Sequence, residues 1–288
     1  MTTITLSRAG ALATLQDAGR FGMLAHGISA SGPMDRGAYL AAGATLARAG
    51  ATAIEFSQGI EFATDGDLWL GTAGGDFRLN VNGVEVPWAE SSELHTGDRV
   101  AVSPGANGNY GYLRFDREID VPLLLGSRST NVTVGLGGFK GRALRNSDRL
   151  GFGAEGEPVS IPTVAVPEGP IRIIWGLHAD LFDTAVRHRF LEQGFFISAN
   201  HDRMGVRFSD PVGVFDGQRK LNLVSDTIVP GDIQILGDGT PIVLMRDHQP
   251  TGGYPRIATI VSADLDRFAQ LRPGTEVRFR AVTLEHAR

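Results

Sequence analysis

Between two strongly apolar stretches lies Asp247-His248-Gln249-Pro250-Thr251-Gly252-Gly253-Tyr254-Pro255-Arg256, which offers a carboxylate, an imidazole, an amide, two hydroxyls and a guanidinium within ten residues. A plain connection needs far fewer such groups. Proton transfer and hydrogen bonding to an amide or carboxylate are the chemistry these types perform. A second concentration, Thr14-Leu15-Gln16-Asp17-Ala18-Gly19-Arg20-Phe21-Gly22, sets Gln16, Asp17 and Arg20 on backbone that glycine makes permissive. The same residues also suit an ordinary turn carrying an Asp–Arg pair worth about 0–1 kcal/mol. Ser29-Ala30-Ser31-Gly32-Pro33-Met34-Asp35 opens a helical stretch. There Ser31 or Asp35 can cap the helix, or the same hydroxyls and amides can face an anion.

Gly126-Ser127-Arg128-Ser129-Thr130, followed by Gly135-Leu136-Gly137-Gly138-Phe139-Lys140-Gly141-Arg142, combines hydroxyls and cations on glycine-rich backbone and reads as an anion cradle. It lacks the phosphate-loop spacing, and Lys140 stands where G-x-G-x-x-G needs its last glycine. Asp202-Arg203-Met204-Gly205 reads as a strand exit or turn. The seven histidines show no metal-ligand spacing, and no G-x-S-x-G elbow is present, so neither a metal nor a nucleophilic serine is expected.

Short strands must position these groups. Glycine is 38 of 288 residues, roughly twice the usual share, in a sequence that is not of low complexity. Polar turns at residues 96–98, 146–148, 230–232 and 273–275 each lead into an alternating apolar segment, and Asn82-Gly83 between alternating residues signals a hairpin. Helices are expected over about 34–48, 179–193 (closed by Gly194) and 263–271. The expected fold is mainly β and barrel-like, in two β-rich domains with few helices, 1–160 and 168–288. The Gly-, Pro- and Glu-rich residues 151–169 read as their linker.

Composition removes whole classes of function. The 27 basic and 32 acidic residues give a net charge of −5, against nucleic-acid binding or a polybasic membrane patch. No apolar run approaches the roughly 18–20 residues that span a bilayer. Met1–Arg8 lacks the features of a signal peptide, and cysteine is absent, so disulfides and thiolate chemistry are excluded and a cytoplasmic protein is expected.

Taken in order, Leu15–Gly22, Ser31–Asp35, Gly126–Thr130, Leu136–Arg142, Asp202–Gly205 and Thr251–Pro255 resemble the KipA-like family, whose members are also known as the C subunits of 5-oxoprolinase or as allophanate hydrolase subunit 2-related proteins. The resemblance spans about residues 4–283, and the same module is similar to one half of the carboxyltransferase domain of urea carboxylase. It implies a cyclophilin-like β-barrel in the second half. It also implies a partner, the KipI-like B subunit of 5-oxoprolinase, together with a third prolinase chain. The activity it implies is ATP-dependent opening of 5-oxo-L-proline to L-glutamate. Biotin enters only if the chain is instead a carboxyltransferase half acting on urea or a similar amide. A non-catalytic regulator that binds a KipI-like kinase inhibitor is a third reading.

On the prolinase reading the expected catalytic residues are Asp17, Arg128, Asp247, Gln249 and Tyr254, with Asp17 or Asp247 accepting a proton. Substrate contacts are expected from Gln16, Arg20, Ser31, Asp35, Thr130, Arg203, Thr251, Gly252 and Gly253, an arginine holding a carboxylate or phosphate. The chain departs from the family pattern at Phe115-Asp116-Arg117-Glu118-Ile119, where a glycine pair is usual. It departs again at Pro250, where a threonine is usual. Both changes fall near expected site residues.

Overall fold

The computed structural model describes residues 2–159, 168–217 and 223–287. Contacts divide the chain into two compact units, Met1–Gly22 with Ala30–Val164, and Met23–Ser29 with Ala165–Arg288. The protein is mainly β, with three α-helices among the described residues: α1 (Arg36–Ala44), α2 (Thr184–Glu192) and α3 (Ser262–Ala269). No helix of the described residues is long and apolar enough to cross a membrane.

The first unit holds two antiparallel sheets. One runs, neighbour to neighbour, Arg117–Ile119, Arg149–Glu155, Thr3–Ala9, Ile60–Thr64, Arg99–Pro104, Phe77–Val81 and Val84–Val86. The other runs Thr14–Gln16, Ala53–Phe56, Gly111–Phe115, Leu68–Gly74 and Ser91–Leu94. Alternating apolar residues from both, among them Ile4, Leu6, Leu15, Ile54, Phe62, Leu70, Leu113 and Phe115, form one buried core. Asn82 and Gly83 make the expected hairpin turn with φ of 54° and 83°, both in the left-handed region that such turns require.

Helix α1 packs on this unit at Gly71, where a Cβ would run into the Ala42 carbonyl. It is shorter than the expected 34–48. The Met34 N–H goes to Glu55 Oε2 and the Asp35 N–H to the Tyr112 hydroxyl, so both lie outside the helix. Asp35 instead caps it, accepting from the Ala38 N–H at 2.8 Å. Beyond Ala44 the chain leaves to pair Arg48–Ala49 with Glu157–Pro158. That pairing, and the strand Arg149–Glu155, correct the linker reading of residues 151–158: Gly151 and Gly153 sit in a sheet strand, and Gly156 joins it to the next pairing. Residues 160–167 lie outside the described residues.

In the second unit eight strands follow the order Glu276–Val277, Phe195–His201, Gly205–Ser209, Pro241–Leu244, Asp232–Ile235, Arg256–Ile260, Ile171–Trp175 and Phe279–Ala281. The two edge strands are consecutive in the chain, separated by Arg278 alone. The sheet therefore curls until its edges nearly meet, the barrel expected of the second half. Phe190, Phe195, Phe208, Phe215 and Phe279 fill it with ring contacts of 5.0–6.2 Å. The expected second helix is broken: one 3₁₀ turn at Ala179–Leu181 precedes α2. Gly194 is not a left-handed cap there. A Cβ at that position would displace the exposed Glu276 carboxylate. A two-stranded ribbon, Asp226–Thr227 with Thr251–Gly252, completes the unit.

Candidate functional site

Asp17 follows the strand Thr14–Gln16 and is buried. Its Oδ1 accepts from the hydroxyls of Ser127 at 2.5 Å and Ser129 at 2.6 Å and from the Gly19 N–H at 3.0 Å. Its Oδ2 accepts from the Arg128 N–H at 2.6 Å. Burial pushes the carboxyl up, but these donors outweigh it and hold Asp17 below the usual carboxylate range. An anion so occupied organises the Gly126–Thr130 loop and is poorly placed to accept a proton. Gln16 acts similarly, donating to Thr14 Oγ1 and the Thr130 carbonyl while accepting from the Gly32 N–H. Thr130 donates both its N–H and its hydroxyl to the Leu15 carbonyl, each at 2.9 Å.

Arg20 is buried and spends its guanidinium on carbonyls of this loop, those of Leu124, Ser127 and Ser129. Its Nε and Nη2 are thus committed to the loop. Ser31 adopts φ 56°, a conformation that costs a non-glycine residue about 1 kcal/mol. Its hydroxyl is buried without a partner among the described residues. Asp35 is committed to the α1 cap.

Arg128 is the part-exposed cation of this cluster, with 23% of its side chain accessible. Its Nε donates to the Val121 carbonyl, and Nη1 lies 3.8 Å from Glu118 Oε2. Glu118 belongs to the charged segment that departs from the family pattern. It is fixed by the N–H groups of Ala51, Thr52 and Ile119, so the departure supplies a built-in counter-ion for Arg128. Of the other cations in the expected anion cradle, one is committed elsewhere and one is open. Arg142 makes a bidentate pair with Asp148, and Lys140 is exposed over the Phe139 ring at 5.1 Å.

In the second unit Arg203 occupies the turn between strands Phe195–His201 and Gly205–Ser209, and its Nε and Nη2 reach Asp247 Oδ2 and Oδ1 at 2.9 and 3.1 Å. The side chains are 4% and 3% exposed. Each therefore satisfies the other, which leaves neither Arg203 as an anion clamp nor Asp247 as a proton acceptor. Gln249 is half-buried, and its carbonyl lies 2.6 Å from His248 Nδ1. The Pro250 carbonyl accepts from the Ile228 N–H, so the proline keeps the loop on its neighbour. Thr251 and Gly252 form one strand of the ribbon, Gly253 accepts from the Leu223 N–H, and Tyr254 is 39% exposed at the rim.

Beneath this ribbon Arg256, the guanidinium of the cluster read from sequence, meets three residues that sequence did not single out, Asp232, His178 and Gln234. Arg256 binds the Asp226 carboxylate at 2.5 Å, the Thr227 carbonyl at 2.7 Å and Asp232 at 3.4 Å. Asp232 also takes the Thr259 hydroxyl at 2.6 Å. His178 Nδ1 accepts from the Arg256 N–H at 3.3 Å, which leaves the proton on Nε2 of the neutral ring. Burial, with the Arg256 charge adding to it, keeps this imidazole below its ordinary range. Gln234 lies beside them. The alternation Asp232-Ile233-Gln234-Ile235 reads as polar residues facing water, yet Asp232 is 2% and Gln234 1% exposed. Among the described residues no cluster of acids and histidines is arranged to hold a metal.

The family model for the carboxyltransferase domain, subdomain A and B, matches residues 26–281. The chain belongs to that family. This module is 36% identical to the C subunit of 5-oxoprolinase from Escherichia coli (strain K12), covering 99% of this chain and 93% of the relative. It is 30% identical to the C subunit of 5-oxoprolinase from Haemophilus influenzae, covering 96% and 90%. Among solved structures, the K. lactis urea amidolyase matches 99% of the chain with a TM-score of 0.88 at 25% identity, and the chain spans 19% of that longer protein. The family expected from the six ordered segments is the one found.

Proposed function

We propose that the chain is the C subunit of a 5-oxoprolinase-type complex, an amidohydrolase that opens 5-oxo-L-proline to L-glutamate at the expense of ATP. The KipI-like B subunit and a third prolinase chain complete the complex in this reading. The carrying observation is the end-to-end similarity to the C subunit of a 5-oxoprolinase, in which each chain accounts for over nine-tenths of the other. The barrel rim fits the task by type: Tyr254 and Thr251 are exposed there, the Gln249 side chain is half-buried, and His178 carries a fixed N–H donor. Arg128, part-exposed in the first unit, is suited to an anion.

In this reading ATP is handled at the level of the complex, by a partner chain. In this chain Arg20 and Arg142 are committed to carbonyls and to Asp148, so the glycine-rich run lacks the converging cations that phosphates need. The test is 5-oxoproline-dependent ATP hydrolysis by the complex recovered with a tagged copy of the chain. Glutamate formed in step with ADP is the expected result. A stable complex with no turnover on 5-oxoproline overturns it and leaves two readings, another amide substrate or a purely regulatory role.

The family description and the likeness to urea amidolyase favour one rival, a biotin-dependent carboxyltransferase half acting on urea. Under that reading the same complex turns over only with a biotinylated carrier, bicarbonate and urea.

A further inference from the structure

Gln234 lies on the strand Asp232–Ile235, with Arg256 opposite it in the register. Its side chain is 1% exposed, and its Nε2 has no hydrogen-bond partner among the described residues. A buried carboxamide group left unpaired is costly and unusual in a folded protein. The end of this side chain is directed at one place. A Cβ added at Gly252 would lie 2.5 Å from Gln234 Nε2 and 3.3 Å from the Ile228 Cδ1 methyl. The φ of Gly252 is not in the left-handed region, so backbone conformation does not demand glycine there. Space for the Gln234 amide does.

The surroundings of this amide are already settled. Arg256 is saturated by Asp226, Asp232 and the Thr227 carbonyl, and Asp232 takes Thr259 and the Val229 N–H as well. The Arg256 guanidinium is fully engaged by two carboxylates, which outnumber it by one charge, while Gln234 itself offers a ligand a neutral hydrogen-bonding group flanked by an apolar methyl and a glycine backbone. The cover over it is thin, since the ribbon that carries Gly252 pairs only Asp226–Thr227 with Thr251–Gly252. Gly252 itself is half-buried and Thr251 exposed.

We propose that Gln234 is the residue that reads the amide of the ligand, pairing its carboxamide with the C=O and N–H edge of a small neutral amide seated at Gly252. A carboxamide carries a donor and an acceptor side by side, which is complementary to the edge of a cyclic or primary amide in either orientation. Glycine at 252 leaves the room in which the Gln234 amide lies, so a ligand reaches that amide by displacing the short Thr251–Gly252 strand that covers it. The inference rests on the proposed function and deepens it by naming a specificity residue for its substrate class.

The test measures binding of 5-oxoproline, urea and acetamide to the full chain, and to the complex recovered with it, by calorimetry without ATP. The variants are Gln234→Leu, which removes both hydrogen-bonding groups, and Gln234→Glu, which keeps the shape but loses the donor when ionised. The expected result is binding of at least one amide by the wild type and about tenfold or greater weakening in both variants, with melting temperatures within a few degrees of wild type. If the leucine variant does not fold, the glutamate variant decides. Wild-type affinity in a folded variant overturns the proposal, as does the absence of amide binding by both the wild-type chain and its complex. Binding of urea but not of 5-oxoproline leaves Gln234 in its role and removes the prolinase reading, so the two failures are distinguishable.

Discussion

Asp17 shows how a residue of catalytic type can be consumed by structure. Four donors converge on its carboxylate, and three of them belong to the Ser127-Arg128-Ser129 loop more than a hundred residues away in sequence. Asp17→Asn keeps the shape but weakens every one of these bonds, and should cost about 1–3 kcal/mol, read by chemical denaturation. The pH dependence has a definite sign. Because the folded carboxyl lies below its unfolded value near 3.9, its stabilisation is fully present above that value. It is lost as pH falls through the lower folded value. Wild type should therefore lose stability in acid below about pH 4 more steeply than Asp17→Asn, measured by melting temperature against pH. Arg128 is the contrasting case, with its guanidinium part-exposed and only loosely countered by Glu118. Arg128→Ala should reduce turnover of the complex tenfold or more while melting within a few degrees of wild type. A wild-type rate would remove Arg128 from the site.

Turns and strand contacts decide which of these groups are available. The Arg203–Asp247 pair clamps the turn after strand Phe195–His201 to the end of strand Pro241–Leu244, with the Asp247 N–H also on the Arg203 carbonyl. Asp247→Ala removes both carboxylate oxygens that face the buried Arg203 guanidinium and should cost about 3–5 kcal/mol in urea denaturation. A loss of activity in that variant then reports folding and says nothing of proton transfer. Helix α1 offers a milder case. Asp35 supplies its N-cap, and Asp35→Ala should cost about 0.5–2 kcal/mol by the same measurement. The hairpin at Asn82-Gly83, the strand Ile171–Trp175 and helix α3 were legible because turn chemistry and periodicity act over a few residues. The strand Arg149–Glu155 was not. Its glycines signal a linker, and only pairing with Thr3–Ala9 and Arg117–Ile119 reveals it.

For the whole molecule, the barrel closes through the segments Glu276–Val277 and Phe279–Ala281, whose neighbours in the sheet are Phe195–His201 and Ile171–Trp175. Closure thus joins the end of the second unit to its beginning. Truncation before Glu276 removes both edge strands and Phe279, which stacks on Phe190 at 5.0 Å. The second unit of that variant should lose its cooperative melting transition, read by calorimetry, because the aromatic core of the barrel is left open to water.

The six ordered segments were enough to name the family, because motif order survives without any knowledge of contacts. Composition alone was enough to exclude disulfides and to point to many short strands. Side-chain type, however, says what a group can do and not what it is already doing. Asp17, Arg20, Arg203 and Asp247 carry reactive groups, and each is satisfied by a partner distant in sequence. Gln234 is the reverse, an unremarkable residue in an alternating strand that only the overlying ribbon turns into a buried, unpaired amide. Pattern in the chain follows local periodicity. Availability for chemistry follows burial and hydrogen bonding between segments, and those exist only once the sheets have closed.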